Sequence, residues 1–444
     1  MNALSARQQS LHRARRAALG AVLADVEARR PLVVLKAPPG SGKTHVLLRA
    51  AALAQHRGLR VAVATQTNSQ ADDLCRRLGG EFPAARVHRF TSQGHDPGDL
   101  GRAVTVIQRG ADQPAGASVV VATSAKWAST RDVEPADVLL VDEAWQMAWG
   151  EFTLLSAVAP RFVLVGDPGQ IEPTVTVPVA RWETSPRAPH RAAPAVILAD
   201  ARVAASVHAL PVTTRLPHDT AALVRGFYDF PFDAWGDPGA RRVTVDATTK
   251  RAAGVDDAIE LLAHGSLSLL TLPTPDDGAP ADDRDLAATA ADVVRRLLDR
   301  RAVATIDGAE RRLTAADVGV VATHRATNAR VAEALGSLAG AVRVDTPERW
   351  QGLEREVMVA VHPLSSATSP TGFDLATGRL CVMLSRHRAG LVVVSRDHVG
   401  ETLAAHAPAA DQAPGAEDAN GRGHAQHTAA WRWFEANGRV ARAA

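Results

Sequence analysis

Short uninterrupted apolar runs alternate with polar, helix-patterned segments along most of this chain. Leu32–Leu35, Val61–Ala64, Ser118–Ala122, Asp137–Val141 and Phe162–Val165 are rich in Val and Leu and lack polar alternation. A strand covered on both faces reads that way, whereas a half-exposed strand alternates apolar with polar positions. Segments between the runs, such as Ser69–Leu78, carry the spacing of amphipathic helices. A second series follows at Leu267–Leu272, Val318–Ala322, Val342–Val344, Val357–Val361 and Leu391–Val394. Two blocks of strand–helix alternation predict an α/β fold with two parallel-sheet domains. We place the first at 1–205 and the second at 206–406, with the Pro-rich stretch Pro173–Pro194 leaving one block and Thr214–Phe230 opening the next. Residues 407–444 are expected to form a flexible linker and a short C-terminal helix. No large apolar residue occurs from Ala407 to His427, and the helix would carry Trp431, Trp433 and Phe434.

Composition narrows the class. At 46% hydrophobic and 22% charged residues, the chain is globular rather than disordered. Its 50 basic and 48 acidic residues leave a formal charge of +2, so it has no global basic coat, and any grip on nucleic acid must come from a local stripe. Lysine occurs at Lys36, Lys43, Lys126 and Lys250 alone, which makes each of them informative. The two cysteines, Cys75 and Cys381, cannot build a disulfide scaffold or a four-ligand zinc site, and they fit a reducing, cytoplasmic setting. No run approaches the roughly 20 apolar residues of a membrane span, and the first residues carry Arg and Gln where a secretory leader is apolar.

The chemistry starts where the first strand meets Ala37–Thr44, APPGSGKT. Glycines let backbone N–H groups close around phosphate oxygens, and the following helix N-terminus favours negative charge. Gly40, Ser41, Gly42, Lys43 and Thr44 are the candidate cradle for ATP; Lys43 would pair the β- and γ-phosphates and Thr44 would hold Mg²⁺. The fourth run of the first block ends in VDEAWQ. Asp142 would bind Mg²⁺ through water and Glu143 would polarise the attacking water. Taken alone, Asp-Glu after a strand is also a common helix cap; its place after a P-loop favours the Walker B reading. The next run ends in VGDPGQIEP, which offers Asp167 and Gln170 as γ-phosphate sensors or as a plain turn.

The order APPGSGKT, VAVATQTNSQADDL, VVVATSAKWA, VDEAWQ, VGDPGQIEP, TTRLPHD, VGVVATHRATNARV, VDTPERWQGLEREVMVAV and RLCVMLSRHRAGLVVVSR resembles superfamily 1 helicases. The likeness is greatest to superfamily 1B, the group of the nonsense-mediated-decay and Okazaki-processing helicases, and it runs from about Leu4 to Arg396. It implies two tandem RecA-like P-loop domains with parallel sheets. It also implies an adenine-reading glutamine at Gln8, with Ser5 a departure from the usual Asn and Gln9 the alternative. Gln170 matches the glutamine that couples γ-phosphate to nucleic acid. Arg215 and Arg386 match arginines that reach the phosphates, Gly352 and Glu354 fall in the nucleotide-binding QGxE motif with Glu354 near the ribose, and Gln351 lies beside them. Ala37 for Gly, Trp350 for Phe and His387 inside the last motif are departures that remove no needed charge.

The same likeness makes Thr65, Asn68, Thr123, Thr323 and Thr346 candidate contacts to a nucleic-acid backbone, with His324 a further second-domain counterpart. Each has helix capping as its ordinary alternative. Lys126 and Trp127 follow Thr123; for Trp127 half-buried packing is preferred to base stacking. The expected activity is that of an ATP-hydrolysing helicase or translocase on single-stranded DNA or RNA, running 5′ to 3′ and using ATP and Mg²⁺ in an interdomain cleft. The alternative is a nucleotide-gated binding module or remodelling ATPase that recruits an effector without unwinding. The C-terminal aromatic helix is a candidate site for a protein partner. No membrane contact is expected.

Overall fold

The computed structural model describes residues 4–174, 177–182, 184–276, 278, 282–367, 370–405 and 419–443. The chain forms two compact units that divide between Val212 and Thr213, with Gly169–Ile171 grouped with the second. Residues 175, 176 and 183 of the Pro-rich stretch, and 406–418 of the expected linker, lie outside the described residues.

The first unit is built on strands β1 (Leu32–Lys36), β2 (Arg60–Thr65), β3 (Val87–Phe90), β4 (Val104–Ile107), β5 (Ser118–Thr123), β6 (Val138–Val141), β7 (Phe162–Gly166) and β8 (Ser206–Ala209). They form one sheet in the order β4-β3-β5-β2-β6-β7-β1-β8 with parallel pairings throughout. Each apolar run of the first block is one of these strands. Val33 and Leu35 pack with helices Ala6–Glu27, Lys43–His56 and Asn68–Glu81 on one face. Val34, Ala62 and Leu139 pack on the other face with Trp127, Phe152 and Ile197. Burial on both faces is the physical reason the runs show no alternation. In a parallel sheet every strand ends at the same edge, which brings the segments after β1, β2, β5, β6 and β7 together.

Next come β9 (Val212–Thr213) and β10 (Asp233–Ala234), a short pair, and β11 (Arg241–Thr244), β13 (Val303–Ile306) and β14 (Ala309–Arg312), a small antiparallel sheet. The second unit's main sheet joins β12 (Leu267–Leu272), β15 (Val318–Ala322), β16 (Arg343–Asp345), β17 (Arg355–Val361), β18 (His387–Arg396) and β19 (Val440–Arg442). Its order is β16-β15-β17-β18-β12-β19, again with parallel pairings. Val320, Val359 and Val392 face helices Val255–Leu261, Arg284–Asp299 and Arg325–Leu335, while Met358, Ala360 and Val393 face the opposite core.

The C-terminal segment differs from the expectation. Residues 419–427, read as linker, begin a helix that runs Ala419–Ala436, and β19 then pairs with β12. Trp431 and Phe434 are buried in the second unit's core, where β12, β18 and helix Thr377–Leu384 also contribute. Their apolar area is therefore used by their own unit, while Trp433 on the same helix is half-buried. No helix among the described residues is long and apolar enough to cross a membrane.

Candidate active site and nucleic-acid face

β1 runs into Ala37, which is fully buried and donates its N–H to the Gly166 carbonyl at 2.9 Å. The Cβ that distinguishes Ala37 from the usual glycine is accommodated there. Gly40 (φ 70°) and Gly42 (φ 87°) take the left-handed backbone that lets the chain fold back. Gly42 opens helix Lys43–His56 without a side-chain cap, so its first N–H groups stay available to an anion. Ser41 is buried and its Oγ has no hydrogen-bond partner among the described residues. Arg15, from helix Ala6–Glu27, lies against this turn: a Cβ on Gly42 would come 3.2 Å from its Nη2. Nothing in the pattern singled Arg15 out from the other arginines of its helix.

Lys43 Nζ lies 2.7 Å from Glu143 Oε1. Burial by itself would push the Lys43 ammonium down, but Glu143, Asp167 and Asp142 together outweigh it and hold the group above the ordinary lysine value. Asp142 moves up, because burial and then the Glu143 charge disfavour its ionised form more than Lys43 favours it. Glu143 adopts φ 52° and ψ 42°, a left-handed conformation that costs a non-glycine residue roughly 1 kcal/mol or more. Its N–H donates to Asp142 Oδ1 at 3.0 Å. Gly166 packs beneath this turn, where a Cβ would meet the Trp145 ring at 2.8 Å. A lysine, two adjacent carboxylates and a half-buried Thr44 hydroxyl thus share one sheet edge. Oxygen donors of this kind suit a hard cation such as Mg²⁺, and the unpartnered Ser41 and the glycine turn suit phosphate oxygens.

In the second unit, Arg215 Nε pairs with a Glu354 carboxylate oxygen, and Arg388 Nε lies 3.8 Å from the other. Gly352 has φ 77°, which permits the turn that brings Glu354 round after Trp350. Gln351 is half-buried in that turn. Trp350 fills the place of the usual Phe, fully buried against Gly319 with its indole N–H on the Val320 carbonyl at 3.0 Å. Arg386 is buried in the turn between helix Thr377–Leu384 and β18. His387 beside it accepts from or donates to Thr220 Oγ1 at 2.7 Å, and burial holds the imidazole down at about 3. Gln170 is buried with the second unit; its carbonyl packs on Gly378, where a Cβ would come 2.5 Å away.

Several other candidates hold local partners. Gln8 forms a capping box with Ser5, and Gln9 Nε2 donates to the Leu4 carbonyl at 3.0 Å. Thr65 Oγ1 donates to Thr67 O, and Thr123 Oγ1 accepts from Lys126 N as a helix cap. Asn68 Oδ1 accepts from the fully buried Arg89, which also grips Asp72 at 2.6 Å. Lys126 sits 4.3 Å above the Phe90 ring, and Trp127 is buried with its indole N–H on Val63 O, the packing role preferred for it. Thr323 Oγ1 contacts Met383 Sδ at 3.8 Å, His324 lies 3.4 Å from Asp374, and Thr346 opens the short helix Pro347–Trp350.

Two family models match the chain, each described as an AAA domain, at residues 11–177 and 284–398. The first spans the glycine turn at Gly40–Gly42, the Asp142–Glu143 turn and Gln170, and the second spans β15 to β18 with Glu354 and Arg386. No curated protein sequence matches this chain. Among solved structures it is similar to the arterivirus nonstructural protein 10 helicase at 14% identity and TM-score 0.44, covering 87% of this chain and 63% of that one. It is also similar to the PRRSV helicase at 14% and 0.40, covering 86% and 55%. The DUF1998 helicase MrfA bound to DNA is a third, at 11% and 0.42, covering 86% and 48%. The chain thus spans less than two thirds of the length of each of these structures.

Proposed function

We propose that this chain is a superfamily 1 helicase or translocase that uses ATP to move along single-stranded DNA or RNA. The observation that carries the ATPase half is the Lys43–Glu143 contact of 2.7 Å beside Asp142, at the end of a glycine turn that suits phosphate. Lys43 would draw the β- and γ-phosphates into the cradle formed by Gly40, Ser41 and Gly42. A phosphate that takes Lys43 also releases Glu143, whose carboxylate then orients a water and accepts its proton. Thr44 and Asp142 would hold Mg²⁺, which when bound neutralises phosphate charge. Arg215 and Arg386 are proposed to stabilise the charge that builds on the transferred phosphoryl oxygens, Gln170 to sense the γ-phosphate, and Gln8 and Glu354 to recognise adenine and ribose.

The nucleic-acid half rests on the ordered motif series. Thr65, Asn68, Thr123, Thr323 and Thr346 are proposed as backbone contacts, which would make binding sequence-tolerant and salt-sensitive. The likeness to superfamily 1B supports 5′-to-3′ movement. The test is the ATPase rate with single-stranded DNA, single-stranded RNA and neither, over a range of salt. Stimulation that weakens as salt rises is the expected result; rates indifferent to both polymers at every salt would sink the reading. Streptavidin displaced from only the 3′-biotinylated strand would agree with the polarity, and displacement from only the 5′ end would reverse it.

A further inference from the structure

The backbone that carries Arg215 is held by a side chain that lies outside every motif. Arg241, on β11, is nearly fully buried. Its Nη1 donates to the Arg215 carbonyl, and its Nη2 donates to the Thr214 carbonyl at 2.7 Å. On the N–H side, Thr213 Oγ1 accepts from the Arg215 and Leu216 amides, each at 3.3 Å. The two peptide units flanking the Arg215 side chain are therefore tied on both of their polar edges.

Arg241 is itself aimed by Asp307. Its Nε and Nη2 lie 3.2 Å and 2.7 Å from the two Asp307 carboxylate oxygens, a forked pairing that fixes the guanidinium plane. The register of the small sheet explains why the two meet. β11 pairs with β13 so that Arg241 sits opposite Ile306, and Asp307 follows Ile306 immediately. Asp307 (φ 51°) and Gly308 (φ 90°) form the two-residue turn between β13 and β14, with the left-handed backbone such hairpins favour. Asp307 N–H donates back to Ala240 O at 3.1 Å, closing the tip onto β11. This hairpin lies off the main parallel sheet, yet its tip reaches the Arg215 segment through one arginine.

We propose that Arg241, aimed by Asp307, is a positioning residue for Arg215: it fixes the backbone from which Arg215 projects and so sets the turnover step without touching nucleotide. The proposal rests on the role assigned to Arg215. A side chain displaced by about 1 Å from its productive place can cost on the order of 10²-fold in rate. Arg241→Gln loses the fork and should lower kcat by about that factor, with the Kd for a fluorescent ATP analogue changed by less than about threefold. Arg241→Lys keeps a donor and a charge and should recover part of the loss. Asp307→Ala, at a half-exposed hairpin tip, should give a smaller fall in kcat while leaving the buried position intact, which guards against a folding defect in Arg241→Gln.

The deciding measurement is the rate of Arg241→Gln in an Arg215→Ala background. If Arg241 acts through Arg215, the second substitution should cost no more than about twofold there, since coupled residues are non-additive. An equal fall in both backgrounds, or wild-type kcat in both Arg241→Gln and Asp307→Ala, would overturn the positioning role. Wild-type turnover in Arg215→Ala alone would instead overturn the assignment of Arg215 and the proposal with it.

Discussion

Arg215 and Glu354 form an ion pair across the second unit's β9–β10 and β17 segments, with side chains 21% and 36% exposed. A pair so open to water contributes only about 0.2–1 kcal/mol, so exchanging the carboxylate for a phosphate oxygen is energetically cheap. Glu354, expected at the ribose, also lies near Arg388. It therefore balances the charge of the arginine proposed for catalysis. Arg386 is in the opposite situation, only 1% exposed.

That contrast separates the two arginines experimentally. Arg215→Ala and Arg386→Ala should each lower turnover by about 10³-fold, as loss of an arginine finger does. Their stabilities should differ. Arg215→Ala should cost less than about 1 kcal/mol in urea unfolding, while Arg386→Ala, which empties a buried polar position, should cost about 2 kcal/mol or more. Arg388→Ala should lower turnover much less than either. Near-normal turnover in both alanine variants would remove the second unit from the chemistry.

The Lys43–Glu143 pair supplies a second test. Lys43→Ala should abolish hydrolysis by removing the phosphate-pairing charge. Glu143→Gln should stop turnover because an amide cannot accept the water's proton. It should also bind ATP more tightly, on the order of tenfold, since Lys43 no longer has to leave a carboxylate 2.7 Å away. Turnover at the wild-type rate in Glu143→Gln would show that another group activates the water.

Five strands of each parallel sheet were legible, most of them because burial on two faces leaves Val/Leu runs with no polar interruption. P-loop and acidic turn were legible because phosphate chemistry demands residue types at set spacing. β3, with the sequence VHRF, was not read as a strand because its arginine is a buried hub for Asn68 and Asp72 rather than a surface charge. The first half of the C-terminal helix, residues 419–427, was read as linker for a related reason. The buried face of the helix is Gly423, His427, Ala430, Trp431 and Phe434, a helical spacing visible only if glycine and histidine are counted as core. Gly423 is there because the helix backbone packs directly on Leu375, leaving no room for a Cβ. Arg241 was invisible for want of any motif: its importance comes from a sheet register that brings Asp307 beside it.

If the C-terminal helix is integral, Trp431→Ala should destabilise the second unit by about 3–5 kcal/mol, the usual cost of emptying a large aromatic site. Trp431 packs edge-on to His362 at 5.9 Å and presses on Gly400, where a Cβ would meet its indole nitrogen at 2.7 Å. Urea unfolding followed on the transition that this substitution moves would measure the loss. A change below about 1 kcal/mol would mean that the helix is only laid against the surface.

Acid should weaken the same unit before its carboxylates titrate. His387 is held down at about 3 by burial and, secondarily, by the charge of Arg241. His427 is held at about 4 by burial, opposed in part by Asp374. His362 lies well below 6.5 because of burial and then of His427 and His398. In the unfolded chain each imidazole titrates near about 6.5. Above that pH both states are neutral and nothing changes. As pH falls below about 6.5 the unfolded chain takes up protons that the folded chain refuses, so stability is lost, by up to about 1.4 kcal/mol per pH unit for each histidine. Urea midpoints should therefore stay level from about pH 7.5 to 6.5 and drop from about 6.5 to 5. His387→Gln, which keeps a side-chain partner for Thr220, should remove one share of that slope. A midpoint that holds or rises between about pH 6.5 and 5 would mean that these imidazoles are charged inside the fold, contrary to the apolar burial around them.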